Sequence, residues 1–217
     1  DSPRRDEAYG FLLDVYLTTR NSERALEALD RIQRKSPREK QAYQGLAFNH
    51  GVDLYRSGKP EEADAYFSRS RSFPEDNTLA AESHFWEGEI AMKSGRDAAA
   101  LSHYRAFLNA PGAFGSPLYD EGEYGAAYAL FRQRKYRDAQ IGFRKYVDAA
   151  GSGEAGGHRA DALLRIGDCF YIDKDYGRAI DAYDRALGAN TSQRQYAGFQ
   201  RARCLGLDGQ LDASVEG

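Results

Sequence analysis

The sequence contains few of the residues that build sheets, cross-links or membrane spans. Among 217 residues there are 4 valines, 6 isoleucines and 2 cysteines, against 32 alanines. Scarce β-branched residues disfavour an extended sheet, and two cysteines are too few for a disulfide framework. No apolar run approaches the roughly 18 residues that a membrane-spanning helix needs. A helical chain without a membrane-spanning segment is therefore expected.

A strong charge of one sign is also missing. The formal net charge is −3 with 29% charged residues, which gives neither the basic field of a nucleic-acid binder nor an acidic tail. The most basic patch runs from Arg132 to Lys145, but Asp138 interrupts it, so we interpret it as a solvated helix surface. No nucleic-acid partner is expected.

An internal repeat dominates what the sequence does contain. Five strings with helical spacing of apolar residues align on an alanine, and these alanines are Ala25, Ala63, Ala100, Ala139 and Ala179, at steps of 38, 37, 39 and 40 residues. A second helical string precedes each of these strings, from EAYGFLLDVYL before the first to SHFWEGEIAM before the third and similar strings before the others. YAGFQRARCL adds a sixth such string near the C-terminus. Each repeat is thus predicted to be helix A, a turn and helix B.

Glycine and proline mark the turns. In the string Ser57-Gly58-Lys59-Pro60, glycine stands where helix A would end in a left-handed residue and proline where helix B would begin. Ser94-Gly95 and Asp208-Gly209 repeat the glycine signal. Two longer segments rich in glycine or proline, 109–117 and 151–157, are predicted to be loops within the array.

These residues resemble the tetratricopeptide repeat, which pairs a small residue on helix A with an alanine on helix B so that the two axes approach closely. The pairs here are Leu13 with Ala25, Gly51 with Ala63, Gly88 with Ala100, Ala127 with Ala139 and Gly167 with Ala179. Four positions after each alanine stands a large residue: Leu29, Phe67, Tyr104, Phe143 and Tyr183. The steps exceed the family's usual length of about 34 residues. The resemblance implies an all-α fold, an α-solenoid coiled into a right-handed superhelix of about five and a half repeats.

We predict a single domain over residues 1–217, formed by one repeat array. The predicted repeats span about 6–39, 44–77, 81–114, 120–153 and 160–193, with a truncated sixth from 195. Arrays normally end in polar caps, so the truncated repeat is expected to leave an apolar end capable of self-association. The chain lacks an initial methionine and is expected to be part of a longer protein.

No group of residues forms a recognisable catalytic motif. Gly151, Gly153 and Gly156 match G-x-G-x-x-G, but they follow a predicted helix rather than a strand, so a loop is favoured over a phosphate site. Cys169 and Cys204 occupy equivalent positions on helix A and are expected to be buried structural thiols. The chain is predicted not to be an enzyme and to need no cofactor.

The histidines give no complete metal site in the sequence. His84 and Glu87 stand one helical turn apart and form half of one, but no further histidine or carboxylate is positioned by the sequence to complete it. His50, His103 and His158 are interpreted as packing or surface residues. No metal is therefore expected.

The resemblance also selects a candidate binding surface, because helices A line the concave groove in the tetratricopeptide family and ligands lie along it. The groove positions carried over are Asp14, Phe48, Tyr55, Phe85, Trp86, Glu89, Tyr124, Tyr128, Phe131, Asp168 and Tyr171. Aromatic side chains with polar tips suit protein contacts, although about half of these residues are expected to pack between helices instead. Some family members hold a C-terminal carboxylate with Lys, Asn and Arg; the matching places here are Gly10, Asp14, Phe48, Val52, Phe85 and Glu89, so that clamp is absent.

The predicted function is a non-catalytic scaffold that binds an apolar or basic segment of a partner protein in this groove. Two alternatives stay open: a module for RNA or a glycan, or a regulatory array of a larger protein that contains an enzyme domain. Strings such as GDCFYIDKDYGRAIDAYDRAL are similar to those of bacterial cell-envelope tetratricopeptide proteins, including outer-membrane assembly lipoproteins and Tol-Pal-associated periplasmic proteins. This similarity favours a periplasmic or outer-membrane-associated setting over the cytoplasm.

Overall fold

The computed structural model describes residues 9, 11, 21–149, 158–189 and 192–208. Within these residues ten α-helices follow one another and no strand occurs. They are α1 Ser22–Asp30, α2 Pro37–Arg56, α3 Pro60–Ser70, α4 Asn77–Lys93, α5 Asp97–Asn109, α6 Tyr119–Arg132, α7 Tyr136–Ala149, α8 Arg159–Ile172, α9 Tyr176–Gly188 and α10 Arg194–Leu207. The predicted all-α solenoid fold is confirmed. None of the described helices is long and apolar enough to cross a membrane.

The chain forms two compact units, residues 1–119 and 120–217. In the first, called unit 1, α2 pairs with α3 and α4 pairs with α5, while α4 also packs on both α2 and α3. In the second, called unit 2, α8 packs against α7 and α9, and α10 packs on α9. Each unit thus stacks helix pairs in chain order, as expected for helix-turn-helix repeats. A single array over the whole chain stays a prediction.

Side-chain caps fix where several helices begin. Ser36 and Glu39 form a capping box at α2: the Glu39 amide donates to Ser36 Oγ at 3.4 Å, and the Ser36 amide donates to Glu39 Oε2 at 2.6 Å. Asp76 caps α4 by accepting from the amides of Thr78 at 2.8 Å and Leu79 at 3.2 Å. These bonds satisfy amides that have no partner within the helix.

The A helices end in the same left-handed turn in four repeats. Gly58 and Gly95 have φ of +80° and +72°, so the turn predicted at both glycines is confirmed. Arg134 and Lys174 occupy the equivalent places with φ of 60°, although neither is glycine. In each case the next amide reaches back to the carbonyl five residues earlier, as from Lys59 to Leu54 at 2.9 Å. Gly209 lies outside the described residues.

The predicted close approach of helices A and B is confirmed. The aligned alanines of the B helices are all fully buried. A methyl group added at Gly51 would lie 2.9 Å from the Phe67 ring, and one added at Gly167 would lie 2.6 Å from the Tyr183 ring. Glycine is therefore required at these places because the large B-helix ring covers the backbone of helix A. Leu13 of the first pair lies outside the described residues.

The predicted loop at 109–117 contains a short 3₁₀ turn, Ala113–Gly115, and Gly112 with φ of +85°. Ser116 is buried and its Oγ donates to Glu82 Oε1 at 2.7 Å, which ties the loop to α4. The loop predicted at 151–157 lies outside the described residues.

The two cysteines have the structural role predicted for them. Cys169 and Cys204 are both buried and unpaired with each other. Burial, helped by the charge of Asp168, raises the pKa of the Cys169 thiol to about 12. This thiol therefore stays protonated at neutral pH and packs as a small apolar group.

Candidate partner-binding faces

The predicted groove residues separate into buried and half-buried sets. Phe48, Phe85 and Asp168 are buried, with 7%, 6% and 6% of their surface exposed. Asp14 lies outside the described residues. The others are half-buried: Tyr55, Trp86, Glu89, Tyr124, Tyr128, Phe131 and Tyr171. Only the half-buried set has substantial exposed surface.

Phe48 and Phe85 complete the core of unit 1. Phe48 meets the Phe67 ring edge-on with centroids 5.9 Å apart. Phe85 packs on Tyr104 and Phe107, with centroids 6.0 and 5.6 Å apart. These two rings pack inside their own unit. The sequence alone did not show whether they would be buried there or exposed to a partner.

Tyr55, Trp86 and Glu89 form what we call the unit-1 groove face. The Trp86 ring stacks on Phe67 with centroids 6.2 Å apart, and the Tyr55 ring lies 5.2 Å from Trp86. Tyr104 donates to Glu89 Oε1 at 2.5 Å, so that carboxylate has an internal partner. Burial, with a smaller contribution from the Glu89 charge, raises the pKa of Tyr55. The face is thus an aromatic surface beside one engaged carboxylate, with the Lys93 ammonium 5.6 Å from the Tyr55 ring centroid.

Tyr128, Phe131 and Arg165 cluster together, and with Tyr171, the repeat equivalent of Phe131 on α8, they define what we call the unit-2 groove face. The Arg165 guanidinium lies 6.0 Å from the Tyr128 ring centroid and 5.7 Å from that of Phe131. Arg165 is the repeat equivalent of Trp86, since both precede the small helix-A residue by two positions. Sequence reasoning missed Arg165 because it selected aromatic side chains. A comparison of equivalent positions between repeats contains the signal that would have found it.

Asp168 is the centre of a closed hydrogen-bond network. Its Oδ1 accepts from the Tyr183 hydroxyl at 2.8 Å and the Tyr196 hydroxyl at 2.7 Å, and Arg165 donates to Oδ2 at 2.8 Å. Burial alone would lower the pKa of Arg165, but the hydrogen bond that Arg165 donates to Asp161 and the charges of Asp161 and Asp168 outweigh it and raise that pKa. The acidic contribution predicted from Asp168 is therefore neutralised inside unit 2.

Tyr124, on α6, is held against the start of α8 rather than exposed for binding. Its hydroxyl donates to Asp161 Oδ2 at 2.7 Å, and its ring stacks on His158 with centroids 4.4 Å apart. Burial, together with the Asp161 charge, raises the pKa of Tyr124. His158 is thus a packing residue here, as predicted.

Tyr171 lies under an exposed cation. Arg203 donates to the Tyr171 hydroxyl at 2.5 Å, and its guanidinium lies 4.9 Å from the ring centroid. The Tyr176 ring is 6.0 Å away on the other helix of the repeat. Tyr171 is consequently oriented by its neighbours and still half-exposed.

A second group of polar residues lies away from these faces, on α4 and α5 of unit 1. The sequence placed His84 and Glu87 together, and the structure adds His103, whose Nδ1 lies 3.1 Å from Glu87 Oε2. The expectation that nothing completes this pair is wrong, because the α4–α5 turn brings a residue 16 positions after Glu87 against it. His103 is therefore not simply a surface residue.

The chain is similar in sequence to one protein family. The family model of the tetratricopeptide repeat matches residues 48–114 and 124–194, which is more than half of the chain. Tetratricopeptide repeats form scaffolds for protein–protein interaction in general. No curated protein matches the sequence significantly.

Solved structures show the same fold at low sequence identity. PilF from Pseudomonas aeruginosa has a TM-score of 0.62 at 15% identity, with 98% of this chain and 88% of that chain covered. BtubC from P. vanneervenii has a TM-score of 0.62 at 15% identity, covering 92% and 85%. YrrB, described as a TPR protein with an unusual peptide-binding site, has a TM-score of 0.58 at 14% identity, covering 86% and 87%.

Proposed function

Because the chain belongs to the tetratricopeptide repeat family, we propose that it is a scaffold with two groove faces, each of which binds an extended, largely apolar segment of a partner protein. One observation carries the proposal. Equivalent A-helix positions keep half-exposed aromatic rings in both units, for example Tyr55 in unit 1 and Phe131 in unit 2. On α2, by contrast, the aromatic rings of Tyr43 and Phe48 are buried in the core.

Contact with aromatic surface rather than charge would provide most of the affinity. Asp168 is buried and already accepts three hydrogen bonds, and Glu89 accepts one from Tyr104. A basic partner segment would share these carboxylates with their internal donors. An apolar segment instead removes the half-exposed rings from water without breaking any of these bonds.

An extended peptide is the class of partner that the comparison with YrrB suggests, since YrrB is described as having an unusual peptide-binding site. Rings held by neighbours, such as Tyr171 beneath Arg203, lose little further freedom when a segment lies over them. This pre-organisation reduces the entropy lost on binding.

The experiment first selects peptide ligands and then identifies the residues of the chain that bind them. Peptides of about twelve residues are selected from a random displayed library on the immobilised chain, and their affinities are measured by calorimetry. Replacing Tyr55 or Tyr171 by alanine is expected to weaken binding by at least about 1 kcal/mol, or about fivefold.

Ile141→Ala is the matched control, because Ile141 is an apolar side chain with 66% exposure on the B helix α7. It should leave affinity unchanged. If Ile141→Ala weakens binding while neither tyrosine variant does, the partner binds the B-helix surface and the proposal fails.

A further inference from the structure

We propose that His84, Glu87 and His103 form a binding site for a divalent transition metal, with Zn²⁺ as the best-fitting ion, that joins α4 to α5 within unit 1. The site is separate from the unit-1 groove face. Glu87 and Glu89 are two positions apart on α4, so their side chains leave the helix about 200° apart. The scaffold function proposed above does not depend on this site.

The spacing of the three ligand atoms suits zinc. Glu87 Oε2 lies 3.3 Å from His84 Nδ1 and 3.1 Å from His103 Nδ1. All three ligand atoms lie within 4.8 Å of one another. Tetrahedral zinc with bonds of about 2.0–2.1 Å separates its ligands by roughly 3.3 Å. Small side-chain rotations would therefore bring all three atoms into coordination.

The Glu87 carboxylate is held in place through Oε1, and its Oε2 faces the two imidazoles. Glu87 Oε1 accepts from Ser68 Oγ at 3.2 Å and lies 2.5 Å from the Arg71 guanidinium. Oε2 is buried and lies against the Nδ1 atoms of His84 and His103, but among the described residues neither Oε2 nor His84 Nδ1 makes a hydrogen bond of normal geometry. Supporting bonds that orient a carboxylate while leaving one oxygen for the ion are typical of metal sites.

The carboxylate is deeply buried beside the two imidazoles. Glu87 is 2% exposed, so its charge is fixed close to the two imidazoles rather than screened by water.

Packing in this fold does not require these residues. The equivalent positions in the fifth repeat, found by aligning Gly88 with Gly167, hold buried apolar residues: Leu163, Ile166 and Ala182. Apolar residues at such a place are often as stabilising as a buried ion pair, or more so. A buried carboxylate facing two imidazoles in the third repeat therefore points to a binding role.

The donor set and the access route favour zinc or a similar ion. Two imidazole nitrogens and one carboxylate oxygen suit borderline divalent metals, whereas Mg²⁺ and Ca²⁺ prefer oxygen ligands only. The side chains of His84 and His103 are 28% and 34% exposed, so an ion reaches the site from solvent. Three protein ligands leave a fourth position for water or for a side chain of another protein.

The test measures Zn²⁺ binding to the full chain after chelator treatment, by calorimetry and by competition with a chromophoric chelator. We expect one saturable equivalent of Zn²⁺, no comparable Mg²⁺ binding, and a Zn²⁺-dependent rise in the unfolding temperature. Co²⁺ should give the visible absorption of a four-coordinate site. His84→Ala and His103→Ala are each expected to lower Zn²⁺ affinity at least tenfold.

His50→Ala is the matched control, since His50 packs on Tyr66 with ring centroids 4.4 Å apart and is not one of the three ligands. It should retain wild-type Zn²⁺ affinity. Circular dichroism checks that each variant is folded, and either histidine variant alone is sufficient for the test. A chain that binds no saturable Zn²⁺, or that loses less than tenfold in affinity in both ligand variants, would overturn the proposal.

Discussion

At the scale of single residues, the fold depends on A-helix glycines whose backbone is covered by an aromatic ring of the B helix. The Phe67 ring is fully buried and lies over Gly51 on α2, and the same relation holds for Tyr104 over Gly88. A ring held on all sides by the core cannot shift cheaply to admit a methyl group. Gly45 lies on the same helix with open space around it.

Gly51→Ala and Gly45→Ala are therefore expected to act in opposite directions. Gly51→Ala should destabilise the protein by about 1–3 kcal/mol through overpacking. Gly45→Ala should stabilise it by roughly 0.5–1 kcal/mol, because alanine favours the helix. Urea unfolding of both variants measures this, and a Gly51→Ala variant as stable as Gly45→Ala would show that the close approach is not tight.

Lys174 provides a second prediction at this scale, because it has φ of 60° where two other repeats use glycine. Lys174→Gly should stabilise the protein by about 0.5–1 kcal/mol through relief of left-handed strain. Lys174→Ala removes the charge and keeps the strain, so it should have little effect. Equal urea midpoints for the two variants would contradict this explanation.

At the scale of helices, periodicity and turn residues predicted the described α-helices, since each helix needs only local spacing and an end signal. They did not predict that α2 begins as early as Pro37, before the predicted second repeat, or that the loop at 109–117 contains the 3₁₀ turn Ala113–Gly115. They did not predict which aromatic is buried. Phe85 and Trp86 are neighbours in sequence, but Phe85 faces α5 and Trp86 faces α2 and α3. Nor did they reveal His103 beside Glu87, because that contact depends on how α4 and α5 are rotated.

The hydrogen bond from Tyr183 on α9 to Asp168 on α8 predicts that the stability of the protein depends on pH. Burial and the Asp168 charge raise the pKa of Tyr183 in the folded chain above its ordinary value of 10.0. Because the folded pKa is raised, the stabilisation is fully present below pH 10 and is lost as the pH rises above it.

The gap in unfolding free energy between wild type and Tyr183→Phe should therefore narrow by about 1.4 kcal/mol between pH 9 and pH 11. Urea titrations at several pH values across that range measure the gap. A gap that stays constant would mean that Tyr183 ionises equally readily in the folded and unfolded chain.

At the scale of the whole molecule, the sequence was sufficient for the family and the fold but not for the partner. Stacked repeats share one packing rule, so each repeat supports the interpretation of the next. The residues of a binding surface do not follow such a shared rule, so one repeat does not predict the surface of the next. Arg165 replaces the tryptophan found two repeats earlier and alters the face it occupies. The ligand must therefore be established on the groove faces themselves.

The most direct measurement uses Trp86, the single tryptophan of the chain, which lies on the unit-1 groove face. A peptide selected on the chain is titrated while Trp86 emission is recorded, at low and high salt. We predict a saturable change in emission whose midpoint is nearly independent of salt and shifts at least about fivefold in Tyr55→Ala. Binding that leaves Trp86 emission and the affinity of Tyr55→Ala and Tyr171→Ala unchanged would contradict the proposal that the groove faces bind the partner.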